Sequence, residues 1–249
     1  MFPRTCFIAG LLVVLLAALV DPPSASSRPT PAANAAAAFS VQAWPAAALG
    51  GINRKVFNLA LDAASCAVRS GDVEDLATLT VIDYSRPSTV KRLWVFDLRA
   101  RTRLYEELVA HGRGSGGNLA KAFSNQPESH QSSLGLFRTE DTYEGKNGYS
   151  LRLHGLEEGY NDLAYTRAIV MHGAPYVSDK IARSQGRLGR SWGCPALRDG
   201  IAREVIDTVK GSGLIFAYYP DPAWLASSKY LHDCASPGDE SLSTRASGL

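Results

Sequence analysis

A mainly β domain with a few helices is what the sequence predicts, and three observations carry it. From residue 72 onward, short stretches rich in β-branched and aromatic residues alternate with polar or glycine-rich breaks. Helical spacing of apolar residues occurs in two places, residues 51–70 and 201–210. With 249 residues and 45% hydrophobic content, the chain can build one domain around a real core, and it shows no internal repeat.

The elements follow in order. Arg4 precedes an unbroken apolar run over residues 7–20, closed by Asp21, Pro22 and Pro23. That run is about 14 residues, short of the ~20 that span a bilayer, so residues 1–25 read as an export signal. An uncleaved anchor is the alternative. Residues 26–49 are mostly Ala, Pro and Ser and read as a flexible tether. A helix over 51–70 follows from Ile52, Val56, Leu59, Ala63 and Cys66, with Gly71 just past its end. Strands are predicted in LATLTVIDY, KRLWVFDL, TRLYEELVA, SLGLFRTEDTYEG, GYSLRLHGL and AIVMHG. A long polar loop then runs through Arg190. A helix from Ile201 to Lys210 has Asp199 near its start and Gly211 after its end. GLIFAYY is a last strand. Residues 50–233 thus form the folded domain, and 234–249 a polar tail.

Charge and cysteine usage narrow the function. A net charge of +2 with no Lys/Arg stripe argues against a nucleic-acid partner. Removal of the signal takes Cys6 and leaves Cys66, Cys194 and Cys234. In an oxidising compartment an odd count suggests one pair and one free thiol, and Cys66 with Cys234 is the expected pair. Cys66 also falls on the apolar helix face, where a thiol can simply be a buried hydrophobe.

Cys194 lies in GRLGRSWGCPAL, between Gly193 and Pro195, on backbone suited to an unusual shape rather than to core packing. Arg190 or a protonated His172 would lower its pKa from the ordinary value near 8.5. The N–H groups near Gly193 and Cys194 could face an oxyanion. His172 ends the apolar stretch AIVMHG, twenty-two positions earlier, and is the best base candidate. Two other His-Gly pairs, at His111 and His154, could join His172 in a zinc site, but the spacing matches no helical zinc motif. They read as positioning groups or strand-end residues, with no metal or other cofactor called for. The polar segment AFSNQPESHQSSLG offers Ser124, Asn125, Ser129, Ser132 and Ser133, which would either lock a loop or grip a polar peptide. Arg187 and Arg190 are either carboxylate partners or solvated loop charges.

The run MHGAPYVSDKIARSQGRLGRSWGCPAL resembles the L,D-transpeptidase catalytic domain, the YkuD-like family, in its GRSxGCPA branch. TVIDYSRPSTVKRLWVFDL, FSNQPESHQSSLG and YSLRLHGLEEGYND resemble it too, so the likeness spans about residues 50–232. It implies a β-sandwich-like fold preceded by the N-terminal helix. It further implies action on peptidoglycan tetrapeptide stems, while the signal and the tether point to a monomer exported to the periplasm or cell wall. Cys194 would attack the carbonyl of the third stem residue and release the terminal D-alanine. An amine acceptor would then resolve the thioester. His172 would be the base, Gly173 would orient it through its carbonyl, and Ser191 and Gly193 would frame the oxyanion with Cys194. Arg190, Trp192, Ser132, Ser133 and His154 would bind substrate, and carbapenem β-lactams would acylate Cys194. The sequence departs from the commoner family pattern twice, with Trp192 in place of a second histidine and Ala196 in place of Asn or Arg. An L,D-carboxypeptidase, a non-catalytic wall-binding module and a zinc peptidase are the rival readings.

Overall fold

Eight strands form one sheet in the computed structural model, which describes residues 38–234. They are β1 (Thr78–Asp83), β2 (Leu93–Asp97), β3 (Thr102–Glu107), β4 (Gly135–Gly145), β5 (Gly148–Gly155), β6 (Val170–Ala174), β7 (Ala196–Arg198) and β8 (Gly213–Tyr218). Their order in the sheet is β3-β2-β1-β8-β4-β5-β6-β7. Two joins are parallel: β1 with β8, from Thr78 opposite Gly213 to Asp83 opposite Tyr218, and β6 with β7, where His172 faces Ala196. The other joins are antiparallel.

β1 and β8 are buried along their whole length, as strands covered on both faces must be. One cover is α2 (Arg54–Arg69), capped by Asn53, whose side chain accepts from the Lys55 N–H. Its buried face is largely alanine with Phe57 and Leu61, which lets the helix lie close to the sheet. The sheet then rolls until its ends meet. Just beyond β3, Ala110 bridges to Ala196 of β7 and Gly112 bridges to Ser191. The layered core expected from sequence is therefore reached by a single sheet rolled on itself.

The disulfide between Cys66 and Cys234 is present, with Cys66 also buried on the helix face. It closes a sequence separation of 168 residues, for which chain entropy gives about 5 kcal/mol of stabilisation.

Other parts differ from expectation. Residues 38–49 were assigned to the tether but are folded, with a 3-10 turn (Val41–Ala43) and a short helix α1 (Ala46–Leu49). Trp44 is 3% exposed and packs edge-on against Phe57 and Phe96 at 5.0 and 5.5 Å. One indole with Val41 and Leu49 is enough to bind an otherwise alanine-rich segment to the core. The polar loop after β6 contains α3 (Asp179–Gln185), which buries only Ala182 and so lacks an apolar stripe, although Ser178 caps it and Gly186 ends it. After α4 (Asp199–Val209) and β8 come α5 (Pro222–Ser227) and α6 (Lys229–His232), which bury Trp224, Leu225, Tyr230 and Leu231. The signal and the tail beyond 234 lie outside the described residues. Among those described, no helix is long and apolar enough to cross a membrane.

Candidate active site

The turn that carries Cys194 is held from both sides. Gly193 has φ +121°, a region that L side chains rarely adopt, and an added Cβ would come within 2.8 Å of Gln131 O and Ile169 Cδ1. The Ser191 hydroxyl accepts from Gly193 N–H at 3.1 Å and donates to Cys194 O at 2.6 Å. Ser191 N–H donates to His111 O, and Arg113 N–H donates to Ser191 O. From the opposite loop, Ser132 Oγ donates to Gly193 O and accepts from Gly112 N–H, each at 3.0 Å. The thiol that results is 8% exposed. Its Sγ accepts from Val170 N–H at 3.5 Å and donates to Ala168 O at 3.7 Å, where Ala168 itself sits at φ +53°.

His172 lies two residues along β6 from Val170, so both side chains are on one face of the strand. Its ring Nδ1 is 2.7 Å from Gly173 O. A carbonyl can only accept, so Nδ1 carries the proton and Nε2 keeps its lone pair. Gly173 is a glycine because α4 lies against it: a Cβ there would meet Asp199 Oδ1 at 2.9 Å.

Burial sets the resting charges. It pushes the Cys194 thiol up, against the Val170 N–H and the Arg167 guanidinium, which favour thiolate. It also pushes His172 down, against the Gly173 bond and the Asp199 charge. Burial thus favours the neutral form of both groups. The expected source of a lowered thiol pKa, Arg190 or a protonated His172, is not among the groups that act on the thiol. Arg190 instead donates through Nη1 to Gly116 O at 2.9 Å.

The cation that does act on the thiol is Arg167, which sequence reasoning missed. The loop that carries it is anchored by Glu157, which accepts from Leu136 N–H at 2.7 Å and Trp224 Nε1–H at 3.0 Å. Arg167 donates to Ser124 O, Ser133 Oγ, Ser129 Oγ and Gln131 O at 2.6–3.2 Å, neutral acceptors all. Nothing in its own sequence neighbourhood marks it; the signal lay in the serines it holds. Ser132 and Ser133, expected to grip substrate, are buried and point their hydroxyls at the protein. Gly193 N–H, expected at the oxyanion, is taken by Ser191. His154 is exposed on β5, four residues from Ser150, the partner of His172 in the sheet. At about 3.3 Å per residue that is about 13 Å along the strand. His111 is fully buried with Nδ1 2.7 Å from Arg92 Nη2. Among the described residues, the three histidines form no metal-holding group. Trp192 is 69% exposed beside the thiol.

A buried thiol, an imidazole with a free Nε2 and a nearby uncompensated cation are the parts that thiol-dependent acyl transfer needs. Residues 49–218 match the family profile described as the L,D-transpeptidase catalytic domain, and the chain belongs to that family. No curated protein matches it. Among solved structures it is similar to an L,D-transpeptidase in complex with imipenem (16% identity, TM-score 0.35, covering 57% of this chain and 59% of that one). It is also similar to an L,D-transpeptidase from Mycobacterium smegmatis (15%, 0.36, 57% and 59%) and to L,D-transpeptidase 3 from Mycobacterium tuberculosis (12%, 0.38, 57% and 61%). The chain thus spans about three-fifths of the length of these structures.

Proposed function

We propose that the protein is an exported cysteine acyltransferase that cross-links peptidoglycan through a Cys194 thioester. The observation that carries this reading is the placement of Cys194 Sγ at Val170 N–H with His172 two residues further along the same strand, its imidazole held by Gly173 O so that Nε2 can receive a proton. Cys194 Sγ attacks the carbonyl of the third stem residue while His172 Nε2 takes the thiol proton. The thiolate develops only as the bond forms, and Arg167 stabilises that charge without a carboxylate of its own to satisfy. With Gly193 N–H held by Ser191, the oxyanion donor is the Cys194 N–H. The intermediate collapses, the terminal D-alanine leaves as its amine takes the proton from His172, and the acyl group stays on sulfur. An acceptor amine then attacks the thioester, His172 takes its proton, and the thiol is restored. Export is supported by the apolar run at 7–20 and by the Cys66–Cys234 disulfide, which persists in oxidising compartments. The same thiol would be acylated by carbapenems, whose lactam carbonyl stands in for the peptide's.

Mass spectrometry of disaccharide-tetrapeptides incubated with the protein and with its Cys194→Ala form tests this. Cross-linked dimers lacking one D-alanine, formed by the wild type and not by Cys194→Ala, are the expected result. Tripeptide monomers alone would make the protein an L,D-carboxypeptidase. Intact protein that never carries an acyl adduct would overturn the thioester.

A further inference from the structure

Trp192 offers the largest exposed apolar surface among the described residues, two positions before the nucleophile. It is not a loose surface ring. The Arg113 guanidinium lies 5.4 Å from its centroid on one side, and the His130 ring meets it edge-on at 5.1 Å. The Arg113 backbone is fixed as well, since its N–H donates to Ser191 O in the turn that carries Cys194. Arg190 is tied to the same place by donating through Nη1 to Gly116 O at 2.9 Å and Arg113 O at 3.5 Å.

Two arginines are thereby gathered in the loop cluster around Trp192 with no carboxylate to neutralise them. The ion pairs of the described residues lie elsewhere, and Glu128, exposed two residues before His130, pairs with neither arginine. The Gly116 and Arg113 carbonyls satisfy part of Arg190, whereas Arg113 has the indole face as its side-chain partner. Two cations without a carboxylate in one loop cluster favour a bound anion, which would accept the planar forks of hydrogen bonds that arginine offers.

We propose that Arg113, Arg190 and the Trp192 ring form a subsite for a carboxylate of the stem peptide, with the indole lying against the adjoining peptide chain. This rests on the stem-peptide reading above and names the chemistry by which the peptide is held. Two sources for that group flank the scissile bond, the terminal carboxylate of the residue that leaves and the side-chain carboxylate of a diamino acid at the third position.

Binding, rather than turnover, tests it. In Cys194→Ala protein, calorimetric titration would compare a free-acid tetrapeptide with the same peptide amidated at either carboxylate. Arg113→Gln is expected to raise Kd roughly tenfold, the scale of a charge-assisted contact. One of the two amides should lose the same factor against the parent and nothing further against Arg113→Gln, which identifies the carboxylate. Arg113→Lys should recover part of the affinity and Trp192→Ala should weaken acid and amide alike. Thermal unfolding within a few degrees of the parent verifies that each variant folds. Unchanged Kd in Arg113→Gln, an acid-to-amide ratio that survives it, or no binding of the peptide by the parent would each overturn the subsite. Failure of the thioester reading shows separately, as the missing acyl adduct on wild-type protein.

Discussion

The two parallel joins of the sheet are built from opposite materials. β1 and β8 pair over six residues, all buried, with α2 across them and a disulfide fastening that helix. β6 and β7 pair over three residues, His172, Gly173 and Ala174, against a strand whose approach is a turn of serine, tryptophan, glycine and cysteine. The first is held by burial of apolar surface, which is non-directional and tolerant. The second is held by directed hydrogen bonds, each aimed at one atom of the Cys194 turn. Stability and chemistry are therefore placed in different joins, and changes in one should be legible without the other.

The two buried histidines sharpen the contrast, because each begins a His-Gly pair and each is pushed down by burial. His111 falls to about 4 and receives a proton donor on Nδ1 from Arg92. That places its own proton on Nε2, where it cannot act as a base. His172 donates from Nδ1 to Gly173 O and keeps Nε2 open. Partner identity, not residue type, separates the positioning histidine from the candidate base.

His172→Ala should slow acylation of Cys194 by about 10²–10⁴-fold in single-turnover assays, with little change in unfolding temperature. A loss under tenfold would mean that another group takes the proton. In the other join, Phe216→Ala should cost about 3–5 kcal/mol in denaturant unfolding. At denaturant concentrations where it is folded, its Cys194 should alkylate at the wild-type rate; a large change there would couple the two joins. Arg167→Gln is a smaller effect on the chemical side. Loss of the cation should move the iodoacetamide–pH profile of Cys194 upward, and Arg167→Lys should move it less. A profile superposable on wild type would leave Arg167 as a loop clamp alone. The smallest effect is on the acid limb of the acylation rate. Because burial lowers His172, its Nε2 stays unprotonated as pH falls through 6.5, and activity should be lost only below that value. A midpoint above 6.5 would contradict a desolvated imidazole.

Much of the fold was legible in the residues. The six stretches after residue 72 and the GLIFAYY segment are strands, because period-2 patterns and continuous β-branched runs report burial directly. The helices over 54–69 and 199–209 follow from apolar spacing that a single face must bury. What escaped was short or weakly apolar: α3 buries one alanine, β7 has three residues, and the folded part of 38–49 depends on one indole. At the site, Cys194 and His172 stood out because a glycine-flanked thiol and a strand-end histidine are local signals. Arg167 and Arg113 did not, since each is an ordinary surface arginine until a distant loop supplies its partners.

By itself, then, the sequence determined which segments are strands and helices, which thiol is left over after pairing, and which histidine ends an apolar strand. Those are properties of neighbours within a few residues, where pattern and backbone preference speak directly. Only the tertiary structure decided how burial shifts Cys194 and His172, the tautomer of each buried histidine, the inward turn of Ser132 and Ser133, the approach of Arg167 to Cys194 and the gathering of Arg113 and Arg190 at Trp192. These depend on desolvation and on hydrogen bonds between residues sixty and more positions apart, as from Ser132 to Gly193. No local pattern encodes them, because the partner is chosen by the rolling of the sheet.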